Sequence, residues 1–103
     1  MARTSYIYVI AHQSSDGGHV APVKIGFSRH PEGRLTSLQT GNPCALALSH
    51  VVECDARDDA VEIEKILHSK FFEERLMGEW FDVSPTRAAT NVTGEIVDYY
   101  EGD

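Results

Sequence analysis

Cysteine is scarce in this chain, with only Cys44 and Cys54 among 103 residues and no Cys-x2-Cys or Cys/His spacing around them. That pattern excludes a recognisable zinc cage and a disulfide framework, so both are expected as reduced, partly buried thiols. No apolar run approaches the roughly 18 residues a membrane span requires, and the N-terminus carries no signal-peptide pattern. A soluble, cytoplasmic protein is the expectation. Internal repeats, low-complexity tracts and linkers are also missing. Basic residues are few, nine Lys and Arg against sixteen Asp and Glu, for a net charge of −7. Taken whole, that charge argues against nucleic acid as a partner. Its distribution argues less strongly. Residues 1–50 carry four basic and two acidic side chains, and residues 51–103 carry five and fourteen. A local cationic site fits on such an acidic body, with modest affinity from phosphate neutralisation.

What is present is enough for one small domain, residues 1–103, with a core over about 5–84 and an acidic helical extension over 85–103. Residues 5–12 alternate aromatic and aliphatic side chains and read as a strand. Gln13 to Val20 contains Ser14-Ser15-Asp16-Gly17-Gly18, which is turn chemistry. Residues 21–27 return as a second strand, so 5–27 is expected as an antiparallel hairpin with a long loop. Ser28 to Gly41 reads as a short helix, with Pro31 in its first turn, Leu35 and Leu38 facing inward and Gly41 at its end. Ala45 to Glu53 is expected as a third strand. Asp55 to Phe72 is the clearest helix, with Asp55 and Asp58 as candidate caps. Glu79 to Val83 reads as a short strand or extended segment. Ser84-Pro85 marks a restart into a helix that Asn91, Thr93 and Gly94 weaken.

One position breaks the helical pattern. At about 100° per residue, Ala60, Ile63, Leu67 and Phe71 fall on one stripe roughly 80° wide. Glu64 lies about 20° beyond Phe71, on the edge of that buried stripe. His68 follows one turn later, while Glu62, Lys65 and Ser69 point to solvent. A carboxylate taken from water needs a partner or a metal ion. A bond to a nearby Arg or to His68 is the plain reading. A divalent cation is the sharper one, because Mg²⁺ often uses only one or two protein carboxylates.

The ordered set Ser5-Tyr6-Ile7-Tyr8, Val23-Lys24-Ile25-Gly26 and Arg34 resembles the GIY-YIG nuclease domain. Glu64…His68, Gly78-Glu79-Trp80-Phe81 and Ser37-Leu38-Gln39-Thr40-Gly41-Asn42-Pro43 resemble the subgroup described from phage open reading frames and a fungal meiotic protein. The resemblance runs from about residue 5 to residue 84. It implies an α+β fold, a small three-stranded antiparallel sheet flanked by helices, in line with the strands read at 5–12, 21–27 and 46–53. It implies that Tyr8, Arg34 and Glu64 are catalytic, with Glu64 holding Mg²⁺ or Mn²⁺, and that Gly26 matches the glycine of the second motif. Tyr6 stands where the first motif usually has Gly, and Lys24 where the second usually has Tyr.

Phosphodiester hydrolysis in DNA is the activity this implies. Arg34 offers a planar fork of donors to phosphate. Tyr8 orients or deprotonates the attacking water, with Lys24 as the cation that assists it. Alternatively, Lys24 is itself the base. Both roles stay open, and Lys24 is kept with the catalytic set. Tyr6, Gly26 and His68 are assigned to substrate binding, His68 with a structural or second-shell role as its other reading. Each residue also has a plain reading as cross-strand packing, a solvated strand lysine or a solvated helix residue. Glu79 could approach the site, with the solvated surface as the expectation, and Trp80 and Phe81 are expected in the core. DNA, or RNA, is the expected partner. A homodimer or a partner protein would supply the specificity that a lone domain lacks. The alternative reading is a non-catalytic nucleic-acid- or protein-binding domain of the same fold.

Overall fold

The computed structural model describes residues 4–102. The alternation in residues 5–12 produces β1 (Ser5–Gln13), which is paired on both sides along nearly its whole length. Ile7, Val9 and Ala11 point to one face and Tyr8 and Ile10 to the other, and all five are fully buried. A strand covered on both faces carries this continuous apolar run. β2 (His19–Ser28) and β3 (Leu46–Cys54) flank it, both antiparallel. Tyr8 faces Gly26 on one side and Val51 on the other. The hairpin turn is shorter than the sequence implied, because β2 begins at His19 and not at residue 21.

The sheet has five strands and not three. After α2 (Arg57–Lys70) and a single 3₁₀ turn (Phe72–Glu74), the chain forms β4 (Arg75–Met77) and β5 (Trp80–Phe81), giving the order β3-β1-β2-β5-β4. Strands of three and two residues are too short to display alternation, so β4 left no trace in the sequence pattern. Gly78, at φ 57°, makes the turn between them in a region that side chains with a Cβ avoid. β5 covers β2 only at Val23 and Lys24, opposite Phe81 and Trp80. One further backbone bond, from Ile25 N–H to the Glu79 carbonyl at 3.1 Å, ends the pairing. Among the described residues no strand covers the outer edge of β2 beyond that point.

Helices cover both faces. α1 (Pro31–Gln39) lies on the Tyr8 face, where Leu35 and Leu38 pack with Tyr8, Ile10, Leu46 and Trp80. It begins at Pro31 and not at Ser28. α2 and α3 (Pro85–Glu101) share the other face. Ala60, Ile63, Leu67 and Phe71 are fully buried there, as their spacing predicts, and Glu62, Lys65 and Ser69 are exposed. Asp55 and Asp58 are not caps: Ala56 occupies the cap position and makes no side-chain bond. α3 runs unbroken, capped by Ser84 Oγ, which accepts from Arg87 N–H at 3.1 Å. Asn91, Thr93 and Gly94 do not interrupt it because Ala88, Val92 and Ile96 alone carry the buried stripe. Cys54 is buried and Cys44 is exposed, against the expectation for the latter. Among the described residues no helix is long and apolar enough to cross a membrane.

Candidate active site

The uncovered end of β2 is where the two faces of the sheet meet. Two side chains from α2 come up against this open edge. His68 Nε2 donates to the Ile25 carbonyl at 2.7 Å, and its ring lies 5.0 Å from that of Phe81. Glu64, one turn earlier, comes up beside the Phe27 backbone, which favours its charged form. The position of Glu64 on the edge of the apolar stripe thus brings its carboxylate to the sheet edge, half-buried.

Glu79 reaches the same place from the β4–β5 turn. It is not the solvated surface residue that its sequence position implied. Its Oε1 accepts from Lys24 Nζ at 2.8 Å, in a pair whose lysine side chain is only 12% exposed. Glu64, His68 and Glu79 each offer a ligand atom, and these atoms lie within 4.8 Å of one another. Burial, then the neighbouring Glu79 carboxylate, pushes the Glu64 carboxyl up to about 7, against a smaller downward pull from Lys24.

Gly26 opens the space between these groups. A Cβ on it would stand 2.6 Å from the Tyr8 hydroxyl and 2.9 Å from Glu79 Oε1. Neither approach is possible beside a side chain, so glycine is required here for room and not for backbone freedom. The Tyr8 hydroxyl is fully buried and has no hydrogen-bond partner among the described residues. Burial raises it to about 12, while the Arg34 guanidinium beside it pulls the other way. The phenol therefore keeps its proton at neutral pH. Lys24 Nζ donates to Glu79 Oε1, which ties the two side chains together beside the Tyr8 hydroxyl.

A cleft of about 420 Å³ opens over Glu64 and Glu79. Arg34, from α1, lines it on one side. Arg57, from the first turn of α2, lines the other, with its guanidinium 5.4 Å from the centre of the Phe27 ring. Arg29, with His30 beside it, completes a cationic rim on the acidic body. Ser5, only 1% exposed, also lines the cleft, and its Oγ has no hydrogen-bond partner among the described residues.

The structure therefore brings together Tyr8, Lys24, Gly26, Arg34, Glu64 and His68. Tyr6 stands apart: it lies opposite Ser28 and Glu53 in the sheet, half-buried, outside the cleft. Arg57 and Arg29 escaped the sequence reading, Ser5 entered it only as part of a motif, and Glu79 was placed at the surface ahead of its reading near the site. Arg57 alone carried a signal, since it precedes Glu64 by seven residues, two helical turns, and so shares its face.

No curated protein and no solved structure matches the chain. Residues 5–97 match the model of the T5orf172 domain. With nine-tenths of its length so matched, the chain belongs to the T5orf172 domain family, a phage-associated domain found in nuclease-like proteins.

Proposed function

We infer that the protein is a metal-dependent endonuclease of the GIY-YIG type, hydrolysing phosphodiester bonds in DNA at the open end of β2. The observation that carries this reading is the meeting of Glu64 and Arg34 at one cleft, with the unpartnered Tyr8 hydroxyl beside Arg34. A buried polar group left without a partner costs about 1–3 kcal/mol, and such groups mark places where a ligand completes the bonding.

The donors suit a hard divalent cation, because Glu64 is a half-buried carboxylate forced against a second one. Glu64 would hold Mg²⁺ or Mn²⁺, which when bound supplies neutralising charge to a phosphoryl oxygen and to the leaving oxygen. The chain's own groups do the rest. Arg34 grips the scissile phosphate through two parallel N–H bonds. Tyr8, protonated at neutral pH, orients the attacking water from the side away from Glu64. Lys24 holds Glu79 in the cleft and is a positioning residue. His68 fixes α2 to the β2 edge and so sets the height of Glu64. Arg57 and Arg29 take the flanking phosphates.

A second reading is a binding domain without catalysis. It is favoured by Lys24, which stands where the resembled motif has a tyrosine and is engaged with Glu79. Labelled single-stranded, duplex and branched DNA, incubated with Mg²⁺ or Mn²⁺, separates the two. Cutting by the wild type that is lost in Glu64→Ala and Arg34→Ala supports the nuclease. Binding without cutting by well-folded wild type on every substrate supports the binding domain.

A further inference from the structure

The resemblance accounts for one carboxylate, but the cleft contains two. Glu79 is delivered to it by the turn after β4, and three observations fix it there. Its backbone carbonyl accepts from Ile25 N–H at 3.1 Å. Its Oε1 accepts from Lys24 Nζ at 2.8 Å. The missing side chain of Gly26 leaves the 2.9 Å approach open. An acidic side chain whose only task was to pair with Lys24 would not need to lie against Glu64. Here both carboxylates line the cleft together with Ser5, whose buried Oγ is unpartnered among the described residues.

We propose that Glu79 is a second carboxylate ligand, and that Glu64 and Glu79 together hold one divalent cation while Lys24 fixes the Glu79 side chain through Oε1. This rests on the cation reading above and extends it from a one-carboxylate to a two-carboxylate site. The chemistry is consistent with the placement. Lys24 occupies Oε1, so Oε2 is the atom offered to the cation. Two carboxylates and retained waters meet the needs of Mg²⁺ or Mn²⁺. His68 is placed by its Nε2–H bond to the Ile25 carbonyl and by Phe81 against its ring, which leaves only Nδ1 with a lone pair that a cation could use.

The test is calorimetric titration of the full chain with MnCl₂, without DNA. Wild type, Glu64→Gln, Glu79→Gln and Lys24→Met are compared, with circular dichroism confirming that each is folded. Glutamine keeps the shape of the side chain and an oxygen for Lys24, so Glu79→Gln removes the charge and little else. The expected result is one Mn²⁺ per chain in wild type, with affinity about tenfold or more weaker in Glu64→Gln and in Glu79→Gln alike. Lys24→Met is expected to bind Mn²⁺ less weakly than either. Wild-type affinity in Glu79→Gln with weakened binding in Glu64→Gln overturns the second ligand and leaves the Glu64 site intact. No Mn²⁺ binding by the folded wild type overturns both.

Discussion

The Tyr8 hydroxyl combines full burial with no partner, which is a poor arrangement for stability. Removing it is therefore expected to help the fold and harm the function. Tyr8→Phe should raise stability by about 1 kcal/mol, read from urea denaturation, while lowering cleavage by about a hundredfold or more. Lower stability in the variant would show that the hydroxyl is bonded in solution. Glu64 gives a pH signature of the same kind. Its carboxyl titrates near 7 in the folded protein against an ordinary value of 4.5, because burial and Glu79 both resist its charge. Raised folded pKa means that its contribution is complete below about 4.5 and is lost as pH rises through about 7. In EDTA the melting temperature of wild type should thus fall relative to that of Glu64→Gln between pH 4.5 and pH 7.5 or so. A constant difference across that range would mean that Glu64 is more hydrated than its position implies. Of these two residues, Glu64 was legible in the sequence because it interrupts a regular apolar stripe. The isolation of the Tyr8 hydroxyl was not, because it depends on how Arg34 and Gly26 come to lie beside it.

At the scale of elements, α2 does two jobs with one face. Ala60, Ile63, Leu67 and Phe71 anchor it in the core, and at the margin His68 takes the Ile25 carbonyl left over by the short β5 while Glu64 reaches the same edge. The helix could be read from its period. Where the sheet ends could not, because β4 and β5 have three and two residues and their pairing is set by long-range packing, Phe81 against Phe71 at 6.3 Å between ring centres. For the same reason Glu79 read as surface: nothing local distinguishes a solvated glutamate from one that a two-residue strand turns inward. The C-terminal helix illustrates the reverse error. Its Asn, Thr and Gly weaken helix propensity, but Ala88, Val92 and Ile96 dock it, and Tyr100 hydroxyl latches it to Asp59 Oδ2 at 2.7 Å and accepts from Asp55 N–H at 2.8 Å. Tertiary packing outweighs propensity here. Tyr100→Phe should cost about 1 kcal/mol and leave cleavage unchanged, as measured by denaturation and plasmid nicking. A loss of cleavage would place α3 closer to the site than its position indicates.

At the scale of the molecule, the acidic total and the cationic cleft coexist. The chain carries −7, and the site gathers Arg29, Arg34 and Arg57 along one rim. Affinity for duplex DNA should then depend on salt through about three phosphates, a log–log slope of about −3. A slope near zero would leave no cationic contact with DNA, and one far steeper would require a larger basic surface than this rim. The sequence halves foreshadowed this asymmetry, since Arg29 and Arg34 come from the basic first half. Arg57 arrives from the acidic second half only because α2 packs beside β2. The most direct test of the account is nicking of supercoiled plasmid by the wild-type chain, in Mg²⁺ and in EDTA, followed by treatment with DNA ligase. Hydrolysis at the β2 edge predicts nicks that form only with Mg²⁺ and that ligase reseals, since their ends are 5′ phosphate and 3′ hydroxyl. An intact plasmid in Mg²⁺ with folded protein, or nicks that form equally in EDTA, would contradict it.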